Sequence, residues 1–379
     1  MFKMFKKITF IQNRQGGFSL IELLIVVTLL AIVVVMSSDT FTIAIKQSGQ
    51  QTKIVEAQVE GIIGLELLRF DIEHAGYGLP WAFQNTINYN EASTSPATNY
   101  NDSSANVPRA IVFGNDVGFN LSDYLVIKST AASTNSATQK WTYIVTGSQP
   151  KKWSYDGTTY PATINLENGN KVIVIKPRVD STSVPTLVMD GSDFTCTFHS
   201  TNFPSEFAPS APAERFMIYG MTDSASVTTL RMPFNRTDYY IKRPADIPTH
   251  CAPGTGILYK GIVNHGDGAL TELPVIDCVA DMQVIFRLDT NGDGVIDSQV
   301  NNLSASTAQQ IREQIKEVRV YILAQEGQRD TGYSHSTQIV TMGEYGLGRN
   351  FDLATYIGTG WNRYRWKTYT LTVQPKDLS

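Results

Sequence analysis

The hydrophobic pattern is strongest near the N-terminus, where the 19 residues from Phe18 to Met36 are apolar or small except for Ser19, Glu22 and Thr28. As a helix rising about 1.5 Å per residue, this run is about 28 Å long, which is enough to cross a bilayer. The sequence therefore predicts a membrane-spanning helix. Glu22 needs an explanation, because a carboxylate inside such a run costs about 2.5–3.5 kcal/mol on insertion.

A basic leader precedes the apolar run. Residues 1–17 contain no acid and four cations, namely Lys3, Lys6, Lys7 and Arg14. Positive charges stay on the cytoplasmic side of a membrane helix, so the residues after Met36 are predicted to lie outside the cytoplasm.

The helical pattern continues beyond the apolar run. Apolar residues recur there at spacings of four, four, four and three, and no proline interrupts residues 18–79. We predict one continuous helix to about Ala75, whose second half lies against a globular head through this apolar stripe. The stripe consists of Val55, Val59, Ile63, Leu67 and Phe70.

Other residues of this helix need separate explanations. Gly49, Gly61 and Gly64 each weaken it by up to about 1 kcal/mol relative to alanine, so they indicate either close packing against the head or local melting. Asp71 and Glu73 fall in the last turn, where the helix dipole disfavours acids. Both are expected to face water or a nearby Arg such as Arg69.

Beyond Trp81 the pattern changes to that of β-structure. Alternating and β-branched segments are separated by clusters of Gly, Asn, Ser and Pro, and only TAQQIREQIKE, residues 307–317, has a helical pattern. We predict an α+β fold with a long N-terminal helix, transmembrane in its first half, packed on a large, mostly antiparallel β-sheet head. The predicted strands are RAIVFG, DYLVIKS, WTYIV, KVIVIKP, RFMIYG, SVTTLRM, DYYIKR, ILYKG, MQVIFRLD, EVRVYILAQ and RWKTYTLTVQ.

Two polar segments of the head are predicted to be loops. Residues 84–107 and 129–140 are rich in Ser, Thr and Asn and poor in branched apolar residues. Either they are solvated surface insertions or they bind a partner, because functional residues concentrate on such segments.

Three ordinary explanations of the N-terminus fail to account for all its residues. A secretory signal peptide would have a cleavage pattern after the apolar run, but VVVMSSD fits that pattern poorly. A plain membrane anchor needs neither Gly16 and Gly17 nor Glu22. A buried core helix would not explain the basic leader.

The segment GGFSLIELLIVV, residues 16–27, closely resembles the type IV prepilin signal. The resemblance implies that a membrane prepilin peptidase cuts between Gly17 and Phe18 and methylates the Phe18 amine. The new ammonium group of one subunit would then neutralise Glu22 of a neighbour in the apolar core of a filament.

A second resemblance is to PilW-type minor pilins and, more loosely, to GspJ-type pseudopilins. It rests on LLRFDIEHAGYGLPW and on three C-terminal segments, CAPGTGILYKG, PVIDCVADMQVIFRLDTNGDGVIDS and IKEVRVYILAQEG. With the N-terminus, the resemblance covers about half of the chain. It implies a cleaved leader (1–17), a transmembrane or filament-core helix (18–36), an amphipathic helix continuation (37–78) and a β-rich head (79–379).

An acidic segment in the head is a candidate metal site. Asp289, Asn291, Asp293 and Asp297 lie at the spacing of an EF-hand loop, and Val295 could add its carbonyl oxygen. Such oxygen ligands suit Ca²⁺, the only cofactor expected. Position twelve is a valine instead of glutamate, however, and a plain hairpin turn is the alternative interpretation, since Asn-Gly and Asp-Gly favour turns.

Three cysteines are too few for a disulfide scaffold and lack zinc-knuckle spacing. In the cytosol they would be buried free thiols. In an oxidising compartment Cys251 and Cys278 are the expected pair, which leaves Cys196 unpaired.

Composition narrows the function further. Removing the four leader cations takes the formal net charge from −4 to −8, and no basic stripe follows, so nucleic acid is not an expected partner. The histidines are far apart, and no HExxH, GxSxG or Walker A motif occurs, so no enzymatic activity is expected.

The favoured hypothesis is a minor pilin of a type IV pilus that primes assembly or lies at the tip. Its partners would be the inner membrane, prepilin peptidase and other minor and major pilins. Before assembly it would sit in the bacterial inner membrane with its head in the periplasm, and afterwards at the cell surface. The alternatives are a minor pseudopilin of type II secretion and a membrane-anchored adhesin that never polymerises.

Overall fold

The computed structural model describes residues 17, 19–102, 104–155, 158–159, 164–180 and 182–378. The predicted leader, apart from Gly17, and the predicted new terminal residue Phe18 lie outside the described residues. The chain divides into two compact units, Met1–Thr52 and Lys53–Ser379.

The N-terminal helix α1 runs from Leu20 to Glu73. Its first part contains the one helical span among the described residues that is long and apolar enough to cross a membrane, Leu20–Val55, and none of its most apolar window is buried. The regular helix ends two residues before the predicted Ala75, and residues 74–78 form turns.

The rest of the chain is mainly β-structure. Two short helices, α2 (Ala308–Gln314) and α3 (Leu353–Ile357), accompany the strands. The strands are β1 (Ala82–Phe83), β2 (Ile111–Gly114), β3 (Tyr124–Ser129), β4 (Trp141–Val145), β5 (Ser154–Tyr155), β6 (Thr158–Thr159), β7 (Lys171–Lys176), β8 (Thr186–Leu187), β9 (Cys196–Thr197), β10 (Arg215–Thr222), β11 (Asn235–Lys242), β12 (Gly256–Val263), β13 (Leu270–Leu288), β14 (Ser298–Val300), β15 (Ile315–Glu326), β16 (Ile339–Met342), β17 (Arg349–Asp352) and β18 (Arg365–Val373).

These strands form two main sheets. The larger sheet has the order β18-β15-β13-β12-β11-β3-β2, with β14 added to β13, and all its pairs are antiparallel. The smaller sheet has the order β1-β8-β7-β10-β4, with β9 added to β7, and only β1 and β8 pair in parallel. The predicted α+β class with a mostly antiparallel head is confirmed.

The second part of α1 packs on the larger sheet through a different face from the one predicted. Leu68 and Ile72 are fully buried in the main core, whereas Ile63 of the predicted stripe is 59% exposed. The other stripe residues, Val55, Val59, Leu67 and Phe70, are also exposed. The prediction that the stripe contacts the head is therefore wrong, and α1 has one apolar face on its own sheet and a second one facing outward.

Glycine explains how α1 approaches the sheet so closely. A Cβ atom at Gly64 would lie 2.6 Å from the Val275 carbonyl oxygen, and one at Gly61 would lie 3.3 Å from the Tyr369 hydroxyl. Both residues therefore fit the close-packing explanation. Gly49 has no atom within 4 Å of its Cβ position, so packing does not explain it.

One predicted strand is absent, and one predicted loop is anchored in the interior by some of its side chains. SVTTLRM, residues 226–232, forms turns and bends, although Leu230 and Met232 are buried in the main core. The alternating apolar residues of this segment fill the core, but the segment has no neighbouring strand with which to pair. Residues 84–107 are irregular as predicted, but Tyr89, Glu91 and Ala97 are buried, so the expectation of a solvated insertion is wrong.

Candidate functional sites

The start of α1 holds the first candidate site. The Ser19 backbone N–H donates to Glu22 Oε2 (2.9 Å), and Ser19 Oγ accepts from the Glu22 backbone N–H (3.2 Å). This reciprocal pair is a capping box, which satisfies two backbone donors that a helix N-terminus leaves without partners. The Ser-x-x-Glu spacing carried this signal, and sequence reasoning missed it. Gly17 is exposed, and Phe18 lies outside the described residues.

The end of α1 is attached to the larger sheet by a buried charge. Asp71 is only 3% exposed, and its Oδ2 lies 2.5 Å from Lys260 Nζ of β12 and accepts a hydrogen bond from the Tyr239 hydroxyl of β11 (2.5 Å). The expectation that Asp71 faces water or Arg69 is wrong, because Asp71 is buried and Lys260 on the sheet compensates its charge. Glu73 does pair with Arg69 as anticipated (3.2 Å).

A second buried charge cluster attaches loop 84–107 to the larger sheet. Lys128 of β3 and Arg236 of β11 are fully buried. Lys128 Nζ lies 2.8 Å from the Glu91 carboxylate and 2.6 Å from Asp102 Oδ2, and Arg236 Nη1 lies 2.9 Å from Glu91 Oε2. Arg236 also pairs with the carboxylate of Asp238 (2.7 Å).

The charges of this cluster are balanced. Arg109 Nε adds a third cation, 2.7 Å from Asp102 Oδ1, against the carboxylates of Glu91, Asp102 and Asp238. Burial opposes ionisation of Asp102, but the Lys128 ammonium and several hydrogen bonds hold the pKa of Asp102 below its ordinary value. The cluster therefore fixes loop 84–107 in one conformation. The polar, charged sequence of the loop gives no sign that these charges are buried.

The acidic segment forms a nine-residue loop between β13 and β14. Asp289 accepts hydrogen bonds from the backbone N–H groups of Gly292 (2.7 Å) and Gly294 (2.9 Å), and Gly294 has a φ of +86° that glycine adopts readily. Asp297 Oδ1 accepts from the Thr290 backbone N–H (3.0 Å). Burial opposes ionisation of Asp289, but these backbone donors hold its pKa below the ordinary value.

The loop supplies only oxygen donors, which suits Ca²⁺. The side chains of Asn291 and Asp293 hydrogen-bond each other (3.1 Å), and Val295 donates its N–H to Asp293 Oδ1 (2.7 Å). No three carboxylates of this loop bring oxygen atoms within 4.8 Å of one another. The oxygen donors of the loop therefore suit Ca²⁺, but the carboxylates do not converge on one point. Calcium binding stays a prediction.

The cysteines differ sharply in their surroundings. Cys251, in the loop after β11, forms a disulfide with Cys278 of β13, with 5.0 Å between their Cα atoms. His250 lies beside the two sulfur atoms, but sulfurs joined to each other are not thiolate ligands. Cys196 is a buried free thiol in the smaller sheet, and burial raises its pKa to about 12.

His265 is the most enclosed histidine. Its Nε2 lies 3.1 Å from Asn235 Oδ1, and its Nδ1 accepts a hydrogen bond from the Arg231 backbone N–H (3.3 Å). Burial, assisted by the positive charge of Arg231, lowers the pKa of His265 to about 4. The ring is therefore a neutral structural group, as the dispersed histidines suggested.

Two family models match the chain. Residues 12–38 match the prokaryotic N-terminal methylation motif, and residues 238–375 match Type IV Pilus-assembly protein W. Over these two ranges the chain is similar to PilW-type pilins. The second match spans β11 to β18 and includes Tyr239, Lys260, the disulfide and the acidic loop, while residues 39–237 lie outside both matches.

Comparison with other proteins adds one solved structure. The chain is similar to the type IV-like pilin TTHA1219 from Thermus thermophilus, at 14% identity over 38% of this chain and 69% of that chain, with a TM-score of 0.22. A search of curated proteins finds no match.

Proposed function

We propose that this chain is a minor pilin that inserts α1 into a type IV pilus, where it primes assembly and occupies the tip. The observation that carries this proposal is the apolar span Leu20–Val55, whose most apolar window is unburied and which has Glu22 in its first turn, in a chain that matches both family models. Such a surface suits lipid before assembly and the side chains of neighbouring helices afterwards. The proposed role is structural and involves no catalysis.

Glu22 gives the inserted subunit its register. The capping box holds the carboxylate at the first turn of α1, close to where cleavage after Gly17 would create an ammonium group on Phe18. A neighbouring subunit, displaced along the filament, would bring its own ammonium to this carboxylate. The pair is favourable in an apolar core because each isolated charge is costly there.

The outward apolar stripe of the second unit is a separate candidate contact surface. Val59, Ile63 and Leu67 are 45–59% exposed on the part of α1 that belongs to the head. Exposed apolar side chains in one continuous row favour contact with another protein surface. We propose that a neighbouring pilin covers this row in the filament.

The match to a pilus-assembly family supports the pilus over the type II secretion pseudopilus. A non-polymerising anchor would need neither the cleavage motif nor an acid that lacks a cationic partner in lipid. Membrane insertion before assembly, with the head in the periplasm, follows from the basic leader and the apolar span.

The proposal is tested by the variant Glu22→Ala in cells that assemble pili. We expect the variant to be cleaved normally yet to be lost from sheared fibres, while Glu66→Ala is recovered like the wild type. Glu66 is a suitable control because it lies on the same helix with its side chain 63% exposed. Recovery of Glu22→Ala in fibres at the wild-type level, or retention of the wild type wholly in the membrane, would exclude the proposal.

We also propose that the acidic loop binds Ca²⁺ weakly, in the range of about 0.1–1 mM, because the twelfth ligand is missing. Millimolar Ca²⁺ should raise the thermal unfolding midpoint of the purified chain, and Asp293→Ala should abolish the increase. Asp246→Ala, at another exposed acid, is the control. An unchanged midpoint in the wild type would remove calcium from this description.

A further inference from the structure

Three aromatic side chains meet at the outer edge of the smaller sheet. Trp141 and Tyr143 alternate with buried residues along the edge strand β4, and Trp153 lies against both of them. The ring centroids of Trp141 and Trp153 are 4.8 Å apart at 70°, and those of Tyr143 and Trp153 are 6.0 Å apart at 67°. All three side chains are only half-buried.

Hydrogen bonds hold this arrangement in place. Trp153 Nε1 donates to the Trp141 carbonyl (2.7 Å), and its backbone N–H donates to Asn165 Oδ1 (2.8 Å). The Lys151 backbone N–H donates to the Tyr143 carbonyl (2.9 Å). Residues 151–153 therefore run beside β4 as an ordered segment, and the rings are positioned before any ligand arrives.

Three cations accompany these rings. The Arg215 guanidinium lies 4.5 Å from the centre of the Tyr143 ring, and Lys151 and Lys152, which directly precede Trp153, are exposed. None of the three forms an ion pair within the described parts of the chain. Glu214, the acid next to Arg215 in the sequence, is instead paired with Lys176 (2.5 Å), and Asp156, three residues after Trp153, lies outside the described residues.

The charge of this surface is opposite to that of the whole head. The chain has a formal net charge of −4, and the residues after the leader are more acidic still. Three cations that form no ion pair among the described residues, beside half-buried rings, are therefore a local reversal of charge, which favours an anionic partner. The surface lies within residues 39–237, outside both family matches.

We propose that this aromatic–basic patch, formed by Trp141, Tyr143, Lys151, Lys152, Trp153 and Arg215, binds an anionic polysaccharide through its carboxylate-bearing sugar rings. Indole and phenol rings contact the apolar C–H faces of sugars. The Arg215 guanidinium, which lies over the Tyr143 ring, offers its remaining N–H groups in the fork that pairs with a carboxylate. The two lysines add charge without fixing a geometry.

A polysaccharide fits the patch better than a single-stranded nucleic acid. Proteins bind single-stranded nucleic acid through a groove whose cations follow the phosphate backbone and through aromatic rings that stack face to face on the bases. Here the cations are confined to one spot and Arg215 covers one face of Tyr143. A few uronic acid units would fill such a surface.

The test uses the full-length chain in detergent and follows tryptophan fluorescence during titration with oligogalacturonate. We expect saturable binding, with neutral dextran oligosaccharides inactive at equal concentration. Arg215→Glu and Lys152→Glu should each weaken binding about tenfold, and Trp153→Ala should weaken it similarly. Arg329→Glu, the same change at an exposed cation elsewhere in the head, should bind like the wild type.

If Trp153→Ala fails to fold, Lys152→Glu still tests the proposal, because Lys152 is exposed and its replacement should not disturb the fold. The circular dichroism spectrum of the Lys152→Glu variant should match that of the wild type. The proposal is overturned if no titrant binds, or if dextran binds as tightly as oligogalacturonate. It is also overturned if oligodeoxythymidine binds more tightly than either, or if Arg329→Glu weakens binding as much as Arg215→Glu. None of these results depends on pilus assembly.

Discussion

Fully buried charged residues determine how the head is put together. Lys128 and Arg236 contact acids of loop 84–107 and of the sheet, and Asp71 joins α1 to Lys260. Burying one of these charged side chains costs free energy unless its oppositely charged partners are buried with it. The low-dielectric interior strengthens the attraction between opposite charges, and it also raises the free-energy cost of a charge without a partner. These residues therefore specify one arrangement of loop, helix and sheet.

Lys128→Met should lower the free energy of unfolding by about 3–5 kcal/mol, because it leaves Glu91 and Asp102 buried with one cation fewer. Lys376→Met removes an exposed pair with Glu73 and should cost less than about 1 kcal/mol. Urea unfolding of both variants in detergent measures the difference. Equal losses would show that the buried cluster contributes no more than a surface pair.

His265 should make the head less stable as the pH falls. Its pKa is about 4 when folded and about 6.5 when unfolded, so between these values the unfolded state binds more protons. The contribution is fully present above about pH 6.5 and is lost progressively towards pH 4. His265→Gln should remove this part of the slope, as measured by unfolding midpoints at several pH values. Parallel curves for the two proteins would contradict it.

At the scale of elements, α1 has two roles on two faces. The inner face uses Gly64, Leu68 and Ile72 to lie close to β13, whereas the outer face carries the exposed stripe. Sequence periodicity detected the helix correctly because both faces are apolar at helical spacing. The periodicity indicated the wrong face because the outer stripe has the larger apolar side chains. The inner face relies partly on glycine, which a hydrophobic pattern does not count as a core residue.

Gly64→Ala should destabilise the head, because the added methyl group would meet the Val275 backbone at 2.6 Å and the strand cannot move without breaking its ladder. A loss of about 1–3 kcal/mol is expected. Gly49→Ala has open space at its Cβ and should instead favour the helix by up to about 1 kcal/mol. Thermal unfolding followed by circular dichroism distinguishes them, and a neutral Gly64→Ala would refute the close-packing explanation.

At the scale of the whole molecule, the sequence predicted the N-terminal helix and most strands of the larger sheet, since these have long, regular apolar patterns. It could not predict the smaller sheet as a separate layer, because that depends on which of several short strands pair. Nor could it assign Asp71, Glu91 or Lys128 to the interior, since a charge is buried only when folding brings it an opposite charge. SVTTLRM shows the converse, an alternating segment without a strand to pair with.

The proposed function requires cleavage after Gly17 and entry of the processed chain into fibres. Peptide mass spectrometry of sheared pili tests both at once. We expect an N-terminal peptide that begins at an N-methylated Phe18 and continues into the apolar run. A chain found only in the membrane fraction with Met1 intact would contradict the proposed function.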